Sequence, residues 1–347
     1  MSLLERSLFT TQFLAPEKKF PAWNESVGAL FGTRLDGPGA VYDFHASVES
    51  YLIGSAVLTR CLSSCQKFSR TPARIARDGI DHYMIQIFSK GEVEMKLGQK
   101  SLVAPTRTVV GFDFGEVLDS VNSDFNLLSA FIPRTLLAPL LRRPDSVHGV
   151  VVDSTRAEGK LFADFFEALF LAAPTLSTDL ASSMMHSLIH MAAAALNGSM
   201  EPLENVPTAL AQANFLRACN FIEFKLSSED LSPELVAREI GVSRASLYRI
   251  FGPIGGIAAY IRQRRLKRAF RMMVSPSVPH QLRISDIAYQ VGIVDSAKFS
   301  RLFKEKYGLT PSEIRKESLI RPASHTDVFQ GADIGDRLYE HWISELI

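Results

Sequence analysis

Two stretches in the last third of this 347-residue chain match one another in residue type at fixed offsets, and that repetition limits what they can form. In the first, Ala237 precedes Gly241 by four residues, Ser243 opens a segment, and Leu247, Arg249 and Phe251 follow at plus four, plus six and plus eight. In the second, Ala288 precedes Gly292 by four, Asp295 opens the segment, and Phe299, Arg301 and Phe303 fall at the same offsets. Residues four apart share a helical face, so Leu247 with Phe251, and Phe299 with Phe303, can pack on a preceding helix where an alanine permits close crossing. Ser243 and Asp295 suit N-caps, and Gly241 and Gly292 suit left-handed turns between helices. The pattern predicts two helix-turn-helix units in tandem.

Arg249 and Arg301 lie two residues beyond a buried position and so point away from the core. A guanidinium placed there can donate two hydrogen bonds to guanine O6 and N7 in a major groove. On the first recognition helix Ala245, Tyr248 and Arg249 are expected to face base edges, with Arg244 nearer phosphate. On the second, Ser296, Ala297 and Arg301 are expected at bases, with Lys298 and Lys304 on the backbone. Residues 257–274 read as one helix, roughly 27 Å long at about 1.5 Å per residue, against a groove repeat of about 34 Å. Leu266, Phe270 and Met273 form its apolar stripe. Arg262, Arg264, Arg265, Lys267, Arg268 and Arg271 crowd the rest, and a subset of them is expected at phosphates.

The whole chain, with 38 basic and 37 acidic residues, suggests no polyanionic partner. Its charge is nonetheless segregated: residues 211–321 hold 19 basic and 10 acidic residues, and the remainder holds 19 basic and 27 acidic. A basic module attached to an acidic domain fits double-stranded DNA as the partner of the former.

Over Phe215 to Arg321 the chain resembles the AraC/XylS family of bacterial transcription regulators. The resemblance is carried by LSPELVAREIGVSRASLYRIF, AAYIRQRRLKRA and ISDIAYQVGIVDSAKFSRLFKEKYGLTPSEIRK, whose ending YGLTPSEIRK is among the family's more specific signatures. Between Phe251 and Tyr260 the chain reads GPIGGIAA, shorter than the family's usual stretch. The resemblance implies a mostly activating regulator with RNA polymerase as a partner, a cupin-like regulatory barrel in the N-terminal half, and a homodimer paired through the helices of that half.

Short strands are expected over residues of about 50–132, from SAVLTRCL, HYMIQIFS, EVEMKL, TRTVVGFDF and NLLSAFI. In HYMIQIFS both alternating faces are largely apolar, which suits a barrel or sandwich packed on two sides. Helical periodicity follows over about 133–196. Residues 1–196 are therefore read as a regulatory and dimerising domain, 197–214 as a linker around the polar NGSMEPLENVPT, 215–321 as the DNA-binding domain, and 322–347 as a tail without an assigned role. The fold class is α+β: an N-terminal cupin-like β-barrel with appended helices, then an all-α double helix-turn-helix domain.

Arg77, His82, Tyr83, Gln86, Phe112 and Phe114 are candidates for a small-molecule effector pocket, since such sites combine apolar walls with a few polar groups. Each is equally accounted for as ordinary core or surface. Cupin enzymes carry a His-x-His metal motif that this chain lacks, so no metal or other cofactor is expected and a metal-dependent enzyme fused to the DNA-binding part is the weaker alternative. Another alternative is a thiol switch at Cys61 and Cys65, four apart, although three cysteines in all fit a reducing compartment. The apolar stretch from Met184 to Leu196 contains two histidines and is too short to span a bilayer, so a cytoplasmic location without membrane contact is expected.

Overall fold

The computed structural model describes residues 3–97, 100–199, 209–252, 255–274, 282–320 and 334–346. The chain divides into two compact units, Met1–Met200 together with Pro322–Ile347, and Glu201–Arg321. Both ends of the chain therefore belong to the first unit.

That unit runs β1 (Glu5–Thr10), α1 (Pro16–Val27), β2 (Gly32–Arg34), β3 (Ala46–Ile53), β4 (Ala56–Ser63), β5 (Gln66–Arg70), α2 (Pro72–Asp78), β6 (Tyr83–Lys90), β7 (Val93–Leu97), β8 (Lys100–Ala104), β9 (Val109–Asp113), β10 (Leu118–Asn122) and β11 (Phe125–Ile132), followed by α3 (Arg134–Leu137), β12 (Val150–Val152), α4 (Ala157–Ala172) and α5 (Thr178–Ser199). The strands form a seven-stranded sheet, β1-β3-β4-β11-β6-β9-β12, and a five-stranded sheet, β2-β5-β10-β7-β8. Neighbours within each are antiparallel. The β3–β4 hairpin pairs Ile53 with Ala56 across a two-residue turn, and Gly54 supplies the positive φ of +59° that such a turn demands.

Strand β6 divides the interior. Its Tyr83, Ile85 and Ile87 face a core shared with Phe162, Phe166 and Leu188 of α4 and α5. Its Met84 and Phe88 face a second core that includes Phe112, Phe125 and Phe131. The doubly apolar alternation of HYMIQIFS is the sequence trace of this two-sided packing.

The β-structure begins well before the expected residue 50. β2 has three residues, and the only apolar residues of β1, Leu8 and Phe9, are adjacent, so neither carries a readable apolar alternation. They are strands because β3 and β5 supply their ladder partners, and pairing outweighs intrinsic preference. Helix α5 likewise reaches Ser199, beyond the expected start of the linker. The Asn197 side chain pins its last turn, donating to Leu140 O (2.9 Å) and accepting from Arg142 N (2.8 Å). Residues 200–208 of the expected linker lie outside the described residues.

The second unit is helical: α6 (Ala209–Phe224), α7 (Pro233–Ile240), α8 (Arg244–Phe251), α9 (Ile257–Val274), α10 (Ile284–Gln290), α11 (Ser296–Tyr307) and α12 (Pro311–Leu319). After residues 321–333, which are not described, the tail adds α13 (Leu338–Glu345) to the first unit.

Candidate nucleic-acid interface and sensor cavity

Helix α7 starts on Ser232, whose hydroxyl accepts from Leu235 N (3.3 Å), and it ends at Gly241 in the left-handed conformation, φ +71°. Ser243 then caps α8, its hydroxyl accepting from Ser246 N (3.1 Å). Leu247 and Phe251 are fully buried among Val236, Ala237 and Ile240, with the Phe215 and Phe251 rings 5.0 Å apart. The opposite side of the same helix presents Arg244, Ala245, Tyr248 and Arg249 to solvent. Arg244 pairs with Glu234 of α7, both well exposed, so water screens the pair and a phosphate can compete for the guanidinium.

The second copy repeats the arrangement. Gly292 turns at φ +78°, and Asp295 caps α11 by accepting from Lys298 N (2.9 Å). Phe299 and Phe303 are fully buried, and Phe303 lies 4.7 Å from the Tyr307 ring and 6.1 Å from Phe270, on which it stacks. Ser296, Ala297, Lys298, Arg301 and Lys304 are exposed. The YGLTPSEIRK ending acquires a physical meaning here. Tyr307 closes the core, Gly308 takes the left-handed cap at φ +73°, and Thr310 with Glu313 forms a reciprocal capping box that starts α12 at Pro311.

Helix α9, which joins the two copies, sorts its own cations. Arg264 pairs with Glu223 of α6, Arg265 donates to the carbonyls of Leu226 (3.2 Å) and Ser228 (2.7 Å), and Lys267 is buried. Burial lowers the pKa of Arg265, the cost of tying a guanidinium to backbone. Arg262 and Arg268 remain exposed on this helix.

In the first unit a cavity of about 70 Å³ lies in the core between the sheets. Its walls are mainly aromatic and aliphatic, with Trp23, Phe31, Phe112 and Phe131 among them, and its polar side chains are Thr59, Cys61, Gln86, Ser120, Asn122, Ser129 and Tyr339. Gln86 Nε2 donates to Ser129 Oγ (3.1 Å), and Ser120 Oγ donates to Asn122 Oδ1 (3.1 Å). The described lining contains no Asp, Glu, Lys, Arg or His.

Residues 236–317 match the model of a helix-turn-helix domain, and residues 24–197, half of the chain, match that of an AraC-binding-like domain. The chain belongs to the AraC/XylS family of transcription regulators. It is similar to the transcriptional activator NphR of Rhodococcus sp, with 26% identity over 262 residues that cover 72% of this chain and 74% of that protein. The regulatory protein SoxS of Salmonella typhimurium is 35% identical over 89 residues, 25% of this chain and 79% of its own length. The crystal structure of the AraC-like transcriptional activator CuxR shares the fold at a TM-score of 0.54 and 22% identity, covering 76% of this chain and 95% of that one.

In this chain, then, a helix-turn-helix module for DNA follows a β-rich AraC-binding-like domain. Of the six residues considered for a pocket, Gln86 and Phe112 line the cavity. His82 stands next to it, its Nε2 3.1 Å from the carbonyl of Ile343. Tyr83 points to the opposite face of β6, where its hydroxyl donates to Pro144 O (2.9 Å) and receives a bond from Arg134 (2.6 Å). Phe114 is core, packed beneath the guanidinium of Arg70 at 4.2 Å, and Arg77 is exposed on α2. Sequence reading missed Trp23, Ser120, Asn122 and the tail residues Tyr339 and Ile343. The signal for two of these was present, because Leu118, Ser120 and Asn122 alternate with exposed neighbours along β10 and so share one inward face.

Cys61 sits in β4 and Cys65 in the turn beyond it. Burial pushes the Cys61 thiol up to about 12, and burial with the nearby Asp124 and Asp36 raises Cys65. Both shifts disfavour the reactive thiolate. Among the described residues no group of three His, Cys, Asp or Glu gathers where a metal ion could be held, and no helix is long and apolar enough to cross a membrane.

Proposed function

We propose that the chain is an effector-responsive transcriptional activator, not an enzyme, working in the cytoplasm as a homodimer with RNA polymerase as its partner on DNA. The observation that carries the reading is the repeated division of α8 and α11 into a buried aromatic or leucine pair and an exposed face bearing an arginine at the same offset from the cap. On that reading Ala245, Tyr248, Arg249, Ser296, Ala297 and Arg301 meet bases, with Ala245 and Ala297 suited to thymine methyl groups. Arg244, Lys298 and Lys304 meet phosphates, together with Arg262 and Arg268 of α9. The cavity beside Gln86 and Phe112 is the effector site, and no cofactor is required.

The name of NphR as a transcriptional activator supports the sign of regulation. Leu161, Leu171 and Leu180, large apolar side chains exposed on or beside α4 and α5, support pairing of two subunits through these helices. Selection of binding sites from a random DNA pool with the full-length protein tests the reading. Enrichment of one sequence spanning two adjacent major grooves is expected, and recovery of no sequence would refute it.

A further inference from the structure

The tail after the DNA-binding unit returns to the first unit and is anchored there in three ways. Its backbone extends the seven-stranded sheet: Thr10 N donates to Ile334 O (3.0 Å) and Asp336 N donates to Leu8 O (2.9 Å), beside an antiparallel bridge between Phe9 and Gly335. A Cβ on Gly335 would overlap the Leu8 carbonyl, so the contact needs glycine. The Asp336 carboxylate accepts from Ser7 Oγ and from Leu8 N (3.2 Å). Arg337 forms the second anchor, bonding Glu25 (2.9 Å) and the buried Glu340 (2.6 Å), which also accepts from Ser26 Oγ. Third, Tyr339 and Ile343 enter the cavity wall, the Tyr339 hydroxyl 2.7 Å from Ser26 Oγ.

We propose that the mouth of the sensor barrel is a binding site for the chain's own C-terminal segment, and that an uncharged, mainly apolar effector enters by displacing Tyr339 and Ile343 from it. The proposal rests on the reading of the cavity as the effector site. At about 70 Å³ the cavity is roughly half the size of the ~150 Å³ cavity that admits one benzene molecule, so a ligand of even that size needs more room. The other walls are strands held by ladders and the α1–β2 segment, which is fixed between β1 and β2 and whose Trp23 indole donates to Gln66 (2.8 Å), whereas α13 is attached by one bridge and side-chain contacts, and it is the wall that gives. With no ionic side chain in the lining, a charged ligand would be buried without a partner. Thr59, Gln86, Ser120 and Asn122 offer hydrogen bonds to one or two neutral polar groups.

The consequence follows from connectivity. The chain leaves the first unit before the DNA-binding unit and rejoins it afterwards, so a docked tail ties the two units twice and a released tail ties them once. Effector binding then changes the tether on the DNA-binding unit, and the two events are coupled reciprocally.

The test uses the full chain and prodan, an uncharged solvatochromic naphthalene, as the probe. Tyr339→Ala with Ile343→Ala should bind prodan at least tenfold more tightly than the parent, and a synthetic peptide of residues 334–347 should reverse the gain. Asp336→Ala, which loosens the tail without touching the cavity, should show the same direction and covers the case in which the double variant fails to fold. Hydrogen exchange in the parent should show amides of Leu338–Glu345 losing protection as prodan saturates. Equal or weaker prodan binding by the variants overturns the proposal, as does equal affinity for an anionic naphthalene sulfonate. Prodan binding with the tail amides still protected overturns displacement but leaves the cavity reading standing. Failure of every folded variant to bind prodan overturns both.

Discussion

Arg249 and Arg301 are matched in offset from the cap, in exposure and in the burial of their neighbours, so they can be compared directly. Replacing either by alanine should cost about 1 to 3 kcal/mol on the selected DNA and relax preference at one base position, read by fluorescence anisotropy on specific and random duplexes. Equal losses on both duplexes would reassign the side chain to phosphate. Arg262 and Arg268 should behave in that second way, each alanine variant reducing the salt slope of binding by about 1. The cysteines separate by environment. At pH 8 iodoacetamide should alkylate exposed Cys65 in the native protein and leave Cys61 intact until unfolding, since burial holds its pKa at about 12. Alkylation of both at equal rates, monitored by intact-mass spectrometry, would restore the redox-switch reading.

The two recognition helices owe their placement to the turns in front of them. Gly292 is held at φ +78°, and a Cβ there would lie 2.7 Å from the Arg265 guanidinium, which is itself committed to two carbonyls of the α6–α7 connection. Gly292→Ala therefore meets both backbone strain and a side chain that is not free to move, and should lower the melting transition of the helical unit, by about 1 kcal/mol or more. Gly241 turns at φ +71° with nothing near its missing Cβ, so alanine there should cost only the backbone part. Thermal denaturation of the pair separates strain from collision. Loss of the Ser243 or Asp295 cap should cost about 1 kcal/mol each, and Phe303→Ala, which empties an aromatic stack, about 3 to 5 kcal/mol.

With a separate core in each unit, calorimetry should resolve two transitions, and only that of the first unit should respond to compounds entering the cavity. The first transition should also depend on pH. Burial holds the pKa of His82 below its ordinary 6.5, so the unfolded chain takes up a proton before the folded one does. The stability this contributes is present above about pH 6.5 and drains away as pH falls from there toward the lower folded value. His82→Gln should flatten that decline while leaving the helical unit's transition unchanged.

Much of the DNA-binding unit is readable from the chain because its determinants are local. Caps, left-handed glycines and four-residue apolar spacings act within one or two turns of helix, and α9 spans the stretch that periodicity marks, Ile257–Val274. The β-rich unit is another matter. β1 and β2 show no apolar period and exist through partners tens of residues away, and the cavity collects side chains from Trp23 to Ile343. Periodicity in β6 marks both faces as apolar but does not say which of them borders the cavity, so Tyr83 and Gln86 look alike until the second sheet is in place. For the same reason a tail without an assigned role in the sequence is seen as part of the β-rich unit only when the chain folds back on β1. Local chemistry in the sequence determines the helix-turn-helix faces, and long-range pairing in the folded molecule decides what the β-rich unit encloses.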